Sequence, residues 1–76
     1  MTEQEWNEEL VRRMRRIYRR KYHNQKEFAE ATGLSEMTIS NYIRQKRVPD
    51  LMTIVNMAAI LECDINELVP TGEIIE

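Results

Sequence analysis

Residues 33–47 read GLSEMTISNYIRQKR, and the fold turns on how this stretch is read. Gly33 can take the left-handed backbone that ends one helix. Ser35, two residues on, is a residue type that caps the start of the next. Ile39, Tyr42 and Ile43 then recur at helical spacing, so one face of that helix turns inward, with Leu34 packing from the turn. The opposite face carries Glu36, Met37, Asn41 and Arg44, and Lys46 and Arg47 follow it. A short helix entered through a glycine turn and left through basic residues has a form suited to a groove in nucleic acid. The charge of the whole chain, −2 with a pI near 5.4, argues the other way.

Outward from that stretch the chain reads as helices and short punctuation. Trp6, Leu10, Met14, Ile17, Tyr18 and Tyr22 stand three and four apart, which predicts a first helix from Glu5 to about Tyr22. His23 and Asn24 interrupt it, and Asn24 is placed to cap a second helix, Gln25 to Thr32, that buries Phe28 and Ala29. Asp50, after Pro49, caps a fourth helix from Leu51 to Leu61 with a core stripe at Leu51, Ile54, Val55, Ala58 and Leu61. Asp64 opens a fifth, where Glu67 three residues later sets up a capping box. No run alternates with period two for long enough to need a strand, and no repeat or low-complexity segment is present.

Seventy-six residues make one domain, with a core small enough that it must be well packed. A composition 42% hydrophobic and 32% charged is that of a soluble globular chain. The longest apolar run, Met57 to Leu61, is far short of the ~20 residues of a membrane helix. The acidic start MTEQEWNEEL lacks the basic end and apolar run of a signal peptide, so the chain is expected to stay in the cytoplasm. A single cysteine, Cys63, fits a reducing compartment.

The net charge hides a strong polarity. Residues 12–47 hold all eleven basic residues against Glu27, Glu30 and Glu36, a net of +8, whereas residues 1–11 carry −4 and residues 48–76 carry −6. Exposed charges are screened over ~8 Å in physiological salt, so a basic face works beside an acidic remainder. Six arginines among residues 12–20 exceed what the wet side of a helix needs, although by themselves they do not separate DNA from RNA or an acidic protein.

Gln25, Ala29, Gly33, Leu34, Ser35 and Ile39, continued by Pro49-Asp50-Leu51, Ile54, Ala58, Leu61, Ile65 and Glu67-Leu68, resemble the phage repressor and Cro (XRE-type) helix-turn-helix family over residues 11–69. The resemblance implies an all-α, five-helix lambda-repressor-like domain with the helix-turn-helix in helices 2 and 3. Residues 1–10 then extend helix 1, and residues 70–76 form a C-terminal tail. It also implies that residues 35–44 form a recognition helix in the major groove of double-stranded DNA, with helix 2 across the backbone. On the matching positions, base contacts fall to Glu36, Met37, Asn41 and Arg44. Asparagine suits adenine, arginine guanine, methionine a thymine methyl and glutamate a cytosine amino group. Phosphate contacts fall to Asn24, Gln25, Ser35, Lys46 and Arg47, with Arg19, Arg20 and Lys21 near enough to add attraction. Asn24 and Ser35 would equally be explained by capping, and Glu36 by the helix dipole.

The chain departs from that family's pattern at five positions. Gln45 and Glu62 stand where glycine often ends helices 3 and 4, so those turns are expected to differ in shape. Tyr18 and Ile43 replace an arginine–glutamate pair, and His23 fills a usually apolar position. With one histidine and one cysteine there is no metal-ligand set, and no phosphate loop or serine elbow is present, so neither an enzyme, a metal nor a cofactor is expected.

Helix 4 poses the remaining question. Besides its core stripe it places Met52, Ala59, Ile60 and Cys63 on a second apolar face, which something must cover. The tail with Ile74 and Ile75, the first helix with Trp6, a second copy in a homodimer, or another protein, as in antitoxins of this family, would each do so. The sequence-level expectation is a dimeric transcriptional regulator of repressor type, the alternative being an antitoxin or other protein-interaction module on the same scaffold.

Overall fold

The computed structural model describes residues 1–70, and within them the chain forms five helices and no strand. They are α1 (Glu3–Lys21), α2 (Gln25–Thr32), α3 (Glu36–Ile43), α4 (Leu51–Ile60) and α5 (Ile65–Leu68). None is long and apolar enough to cross a membrane. Each starts on a side-chain cap drawn from Thr2, Asn24, Ser35, Asp50 and Asp64. These oxygens accept from backbone N–H groups that a helix start would otherwise leave unpaired. α1 begins two residues earlier than the apolar periodicity suggests because Thr2 and Glu5 close a reciprocal capping box.

The core is built where the helices' apolar stripes converge. Phe28, Ile39 and Leu68 are fully enclosed, and Leu10, Met14 and Met57 nearly so, each stabilising the fold by about 1.5–3 kcal/mol relative to exposure. Phe28 is its centre: Tyr18 stacks on it at 4.8 Å and Tyr22 tilts against it at 5.9 Å. Tyr18 therefore spends its ring on α2, while Ile43 packs at the edge of the core. Small, buried Ala29 sits on α2, which packs against α3 and α4, while α1 packs against α3 and α5.

Polar ties fix α1 to the far end of the chain. Trp6 Nε1 donates to the Pro70 carbonyl at 3.2 Å, and Arg13 donates to those of Val69 at 3.2 Å and Asn66 at 3.4 Å. Lys21 donates to the Ile60 carbonyl at 2.7 Å and meets Glu62 at 3.1 Å, closing the C-terminus of α4. Both arrangements put a cation against the negative end of a helix.

Two expectations are corrected here. The turns after α3 and α4 keep the left-handed shape without glycine: Gln45 has φ 61° and Glu62 φ 54°. In each, the two residues after the helix donate back to its last turn (Gln45 to Tyr42, Lys46 to Asn41; Glu62 to Ala59, Cys63 to Ala58), the paired bonds of a Schellman end. On α4, Leu51 and Val55 are not core residues. They are 69% and 42% exposed, and Met57 is buried in their place. The helix is rotated so that its inward stripe is Ile54, Met57, Ala58 and Leu61.

Candidate nucleic-acid interface

α2 and α3 meet through a turn set by Gly33, whose φ of 76° lies in the left-handed region. Thr32 supports that turn, its hydroxyl donating to the Ala29 carbonyl at 2.8 Å and accepting from Leu34 N–H at 3.2 Å. Ser35 Oγ then accepts from Thr38 N–H at 3.0 Å and starts α3. With Ile39 and Tyr42 buried below, the outer surface of α3 is presented to solvent.

That surface brings together most of the residues singled out from the sequence. Glu36, Met37 and Arg44 are exposed and Asn41 is half-buried. Met37 is a large apolar side chain left 70% exposed. Gln25, from the first turn of α2, joins Glu36, Met37, Ser40 and Arg44 around one hollow, so α2 and α3 share a single concave face. Lys46 and Arg47 are exposed on the loop beyond. The side-chain oxygens of Asn24 and Ser35 are engaged as caps, at 2.9 Å to Glu27 N–H and 3.0 Å to Thr38 N–H.

The three basic residues at the end of α1 do not act together. Arg19 turns toward Ile43 and Gln45 at the end of α3. Arg20 turns the other way, toward Glu67, and Lys21 is tied to Ile60 and Glu62. Only Arg19 faces the side of α3. The sequence could not make this distinction, because consecutive residues on a helix are 100° apart and nothing local says where the neighbours lie.

The second face of α4 is likewise redrawn. Met52, at 74%, and Ala59 are exposed, but Ile60 is half-buried and Cys63 packs against the core. Burial, helped by Glu67 and Asp64 nearby, pushes the Cys63 thiol above its ordinary pKa. Whereas Val48, also exposed, borders a hollow with Glu3, Gln4, Asn7 and Gln45, the exposed stripe of α4 is instead Leu51, Met52, Val55 and Ala59. Trp6 does not cover it, being engaged with Pro70, and the tail residues Ile74 and Ile75 lie outside the described residues. Among the described residues no group of histidine, cysteine or carboxylate side chains is arranged to hold a metal ion.

What this face can do chemically is bind a duplex: exposed amide, guanidinium and carboxylate groups able to pair with base edges, flanked by cations able to meet phosphates. Comparison with characterised proteins and with solved structures returns no match. A family model described as helix-turn-helix matches residues 13–68, which span all of α2, α3, α4 and α5 and the second half of α1. The chain belongs to the XRE-type helix-turn-helix family of DNA-binding regulators.

Proposed function

We propose that this protein is a cytoplasmic, sequence-specific repressor that lays α3 in the major groove and binds as a homodimer. The observation that carries the reading is the outer face of α3, where Glu36, Met37, Asn41 and Arg44 are all accessible beside Gln25. These four read bases, Arg44 and Asn41 through two-pronged hydrogen bonds, Glu36 as an acceptor and Met37 by apolar contact. Gln25, Lys46, Arg47 and Arg19 hold phosphates, with the capped N-termini of α2 and α3 at Asn24 and Ser35 adding their N–H dipoles. Repression then follows from occlusion of the DNA it covers.

A single recognition helix reads one half-site, and a two-fold dimer reads two about one helical turn apart. The stripe of Leu51, Met52, Val55 and Ala59 supports self-association, because these side chains stand exposed and gain from leaving water. It equally suits a different protein partner, the second reading. Selection of duplexes from a random library, with sequencing, tests both. An enriched palindrome is expected. If the wild type and Val55→Asp are both folded monomers in solution, or only a single short site is enriched, the dimer is wrong; a dimer that survives Val55→Asp has its interface elsewhere. If nothing is enriched, the helix-turn-helix serves as a scaffold for a protein partner. At a selected site, Arg44→Ala should cost about 1–3 kcal/mol and relax one base position. An equal loss on every sequence would make Arg44 a phosphate contact.

A further inference from the structure

The basic side chains of α1 divide by what they do for the fold. Arg13 and Lys21 hold carbonyls of α5 and α4. Arg12 meets Glu9 at 3.0 Å on the surface. Arg15, Arg16 and Arg19 have no carboxylate within 4.0 Å among the described residues, so three guanidinium groups of one helix stand close together with no ion pair to offset their repulsion. Arg12, Arg15, Arg16 and Arg19 line one open groove with Glu8 and Val11, and its far wall is Ile43 and Gln45, the last residue of α3 and the turn beyond it. Gln45 also borders a hollow with Glu3, Gln4 and Asn7, so the row lies alongside the end of α3 and the turn that follows it.

We infer that the DNA surface continues off α3 along α1, where Arg12, Arg15, Arg16 and Arg19 hold the phosphate backbone of the same duplex beyond the bases that α3 reads. This rests on the reading of α3 proposed above. At 1.5 Å per residue, Arg12 to Arg19 spans about 10 Å, the axial length of about three phosphates on one strand. Guanidinium groups suit that role because each can grip a phosphate with two parallel hydrogen bonds. The track has a built end: Glu8 borders the groove and Glu3, Glu5 and Glu9 precede or flank it on the same helix, so a polyanion is repelled from the first turns of α1. An acidic protein suits the groove less well. Its apolar floor is only Val11, which is buried, and Ile43, which packs on the core, so a peptide would find no anchor there, whereas a phosphate backbone needs none. The residues from Arg12 toward the N-terminus lie outside the part matched by the family model, 13–68, so this end of the track belongs to an extension of the shared fold.

The test compares the full chain with Arg15→Gln/Arg16→Gln and with Arg15→Lys/Arg16→Lys, all exposed changes whose folding is checked by circular dichroism. Affinity is measured across a salt series on the selected duplex and on an unrelated one. The glutamine variant is expected to bind both more weakly by the same factor, to keep the wild-type preference between them, and to show a log K against log salt slope shallower by about 1.8, or 0.9 per lost phosphate. The lysine variant should keep most of the slope. An unchanged slope in the glutamine variant, on duplexes that the wild type binds, overturns the inference and leaves the groove to an acidic protein. If the wild type binds no duplex at all, the reading of α3 itself fails and takes this one with it; the two failures are therefore told apart by the wild-type protein alone.

Discussion

Gln45 and Glu62 hold left-handed backbone, at φ 61° and 54°, with a side chain that makes this conformation costly. The strain is of order 1–2 kcal/mol for a residue with a Cβ, and it persists because the two returning hydrogen bonds after each helix satisfy carbonyls that otherwise lack partners. Gln45→Gly removes the strain and keeps the bonds, at the expense of a looser unfolded chain. It is expected to raise stability by about 0.5–1 kcal/mol in urea denaturation. Gly33→Ala should do the reverse. A Cβ there meets nothing within 4 Å, so the cost is backbone strain alone, about 1–2 kcal/mol. A loss much above that would mean the turn had rearranged.

At the scale of the element, the caps make the fold sensitive to acid. Hydrogen bonds from the Thr53 backbone N–H and the Thr53 side chain hold the Asp50 carboxyl below its ordinary pKa, and Thr2 does the same for Glu5. A carboxyl whose pKa is lower folded than unfolded contributes stability that is complete above the unfolded value, about 4 for aspartate, and that is lost as pH falls through the folded value. Chemical denaturation between neutral pH and about pH 3 should therefore show falling stability with wild type and a flatter profile with Asp50→Asn, which keeps an acceptor at the cap and loses the titration. Parallel profiles would show that Asp50 titrates alike in both states. α4 shows a different lesson about elements. It is apolar nearly all round, so its sequence does not fix its rotation, and burial of Met57 rather than Leu51 and Val55 was settled by the helices it packs on.

Across the whole molecule, α1 works as a strap. Its first turns carry Trp6 to Pro70, Arg13 carries it to Val69, and Lys21 closes the other end on Ile60. A domain of this size has only ~5 kcal/mol of net stability to draw on. Trp6→Ala removes a half-buried ring and a long-range hydrogen bond together, and is expected to cost about 2 kcal/mol. That corresponds to a melting temperature lower by roughly 10 °C, read by calorimetry. A change of only a degree or two would show that the extension is dispensable to the fold. Because α1 is held at both ends, the points from which its arginines project are fixed, which is how a chain of net −2 can present a positive row.

What the sequence determined by itself is local. Asn24, Ser35 and Asp50 announce helix starts, Gly33 a turn, and the three-and-four spacing of Leu10, Met14 and Ile17 an inward stripe, because caps, left-handed turns and periodicity depend on residues within one or two turns of each other. The outer face of α3 was legible for the same reason, since burying Ile39 and Tyr42 leaves Met37, Asn41 and Arg44 outside. What only the tertiary structure decided is which way ambiguous surfaces point. Arg19 faces α3, whereas Arg20 and Lys21 face α5 and α4; Cys63 turns in and Leu51 turns out. Each of these depends on neighbours distant in sequence, where burial on one side is exchanged for exposure on the other, and no pattern within the helix itself can settle that exchange.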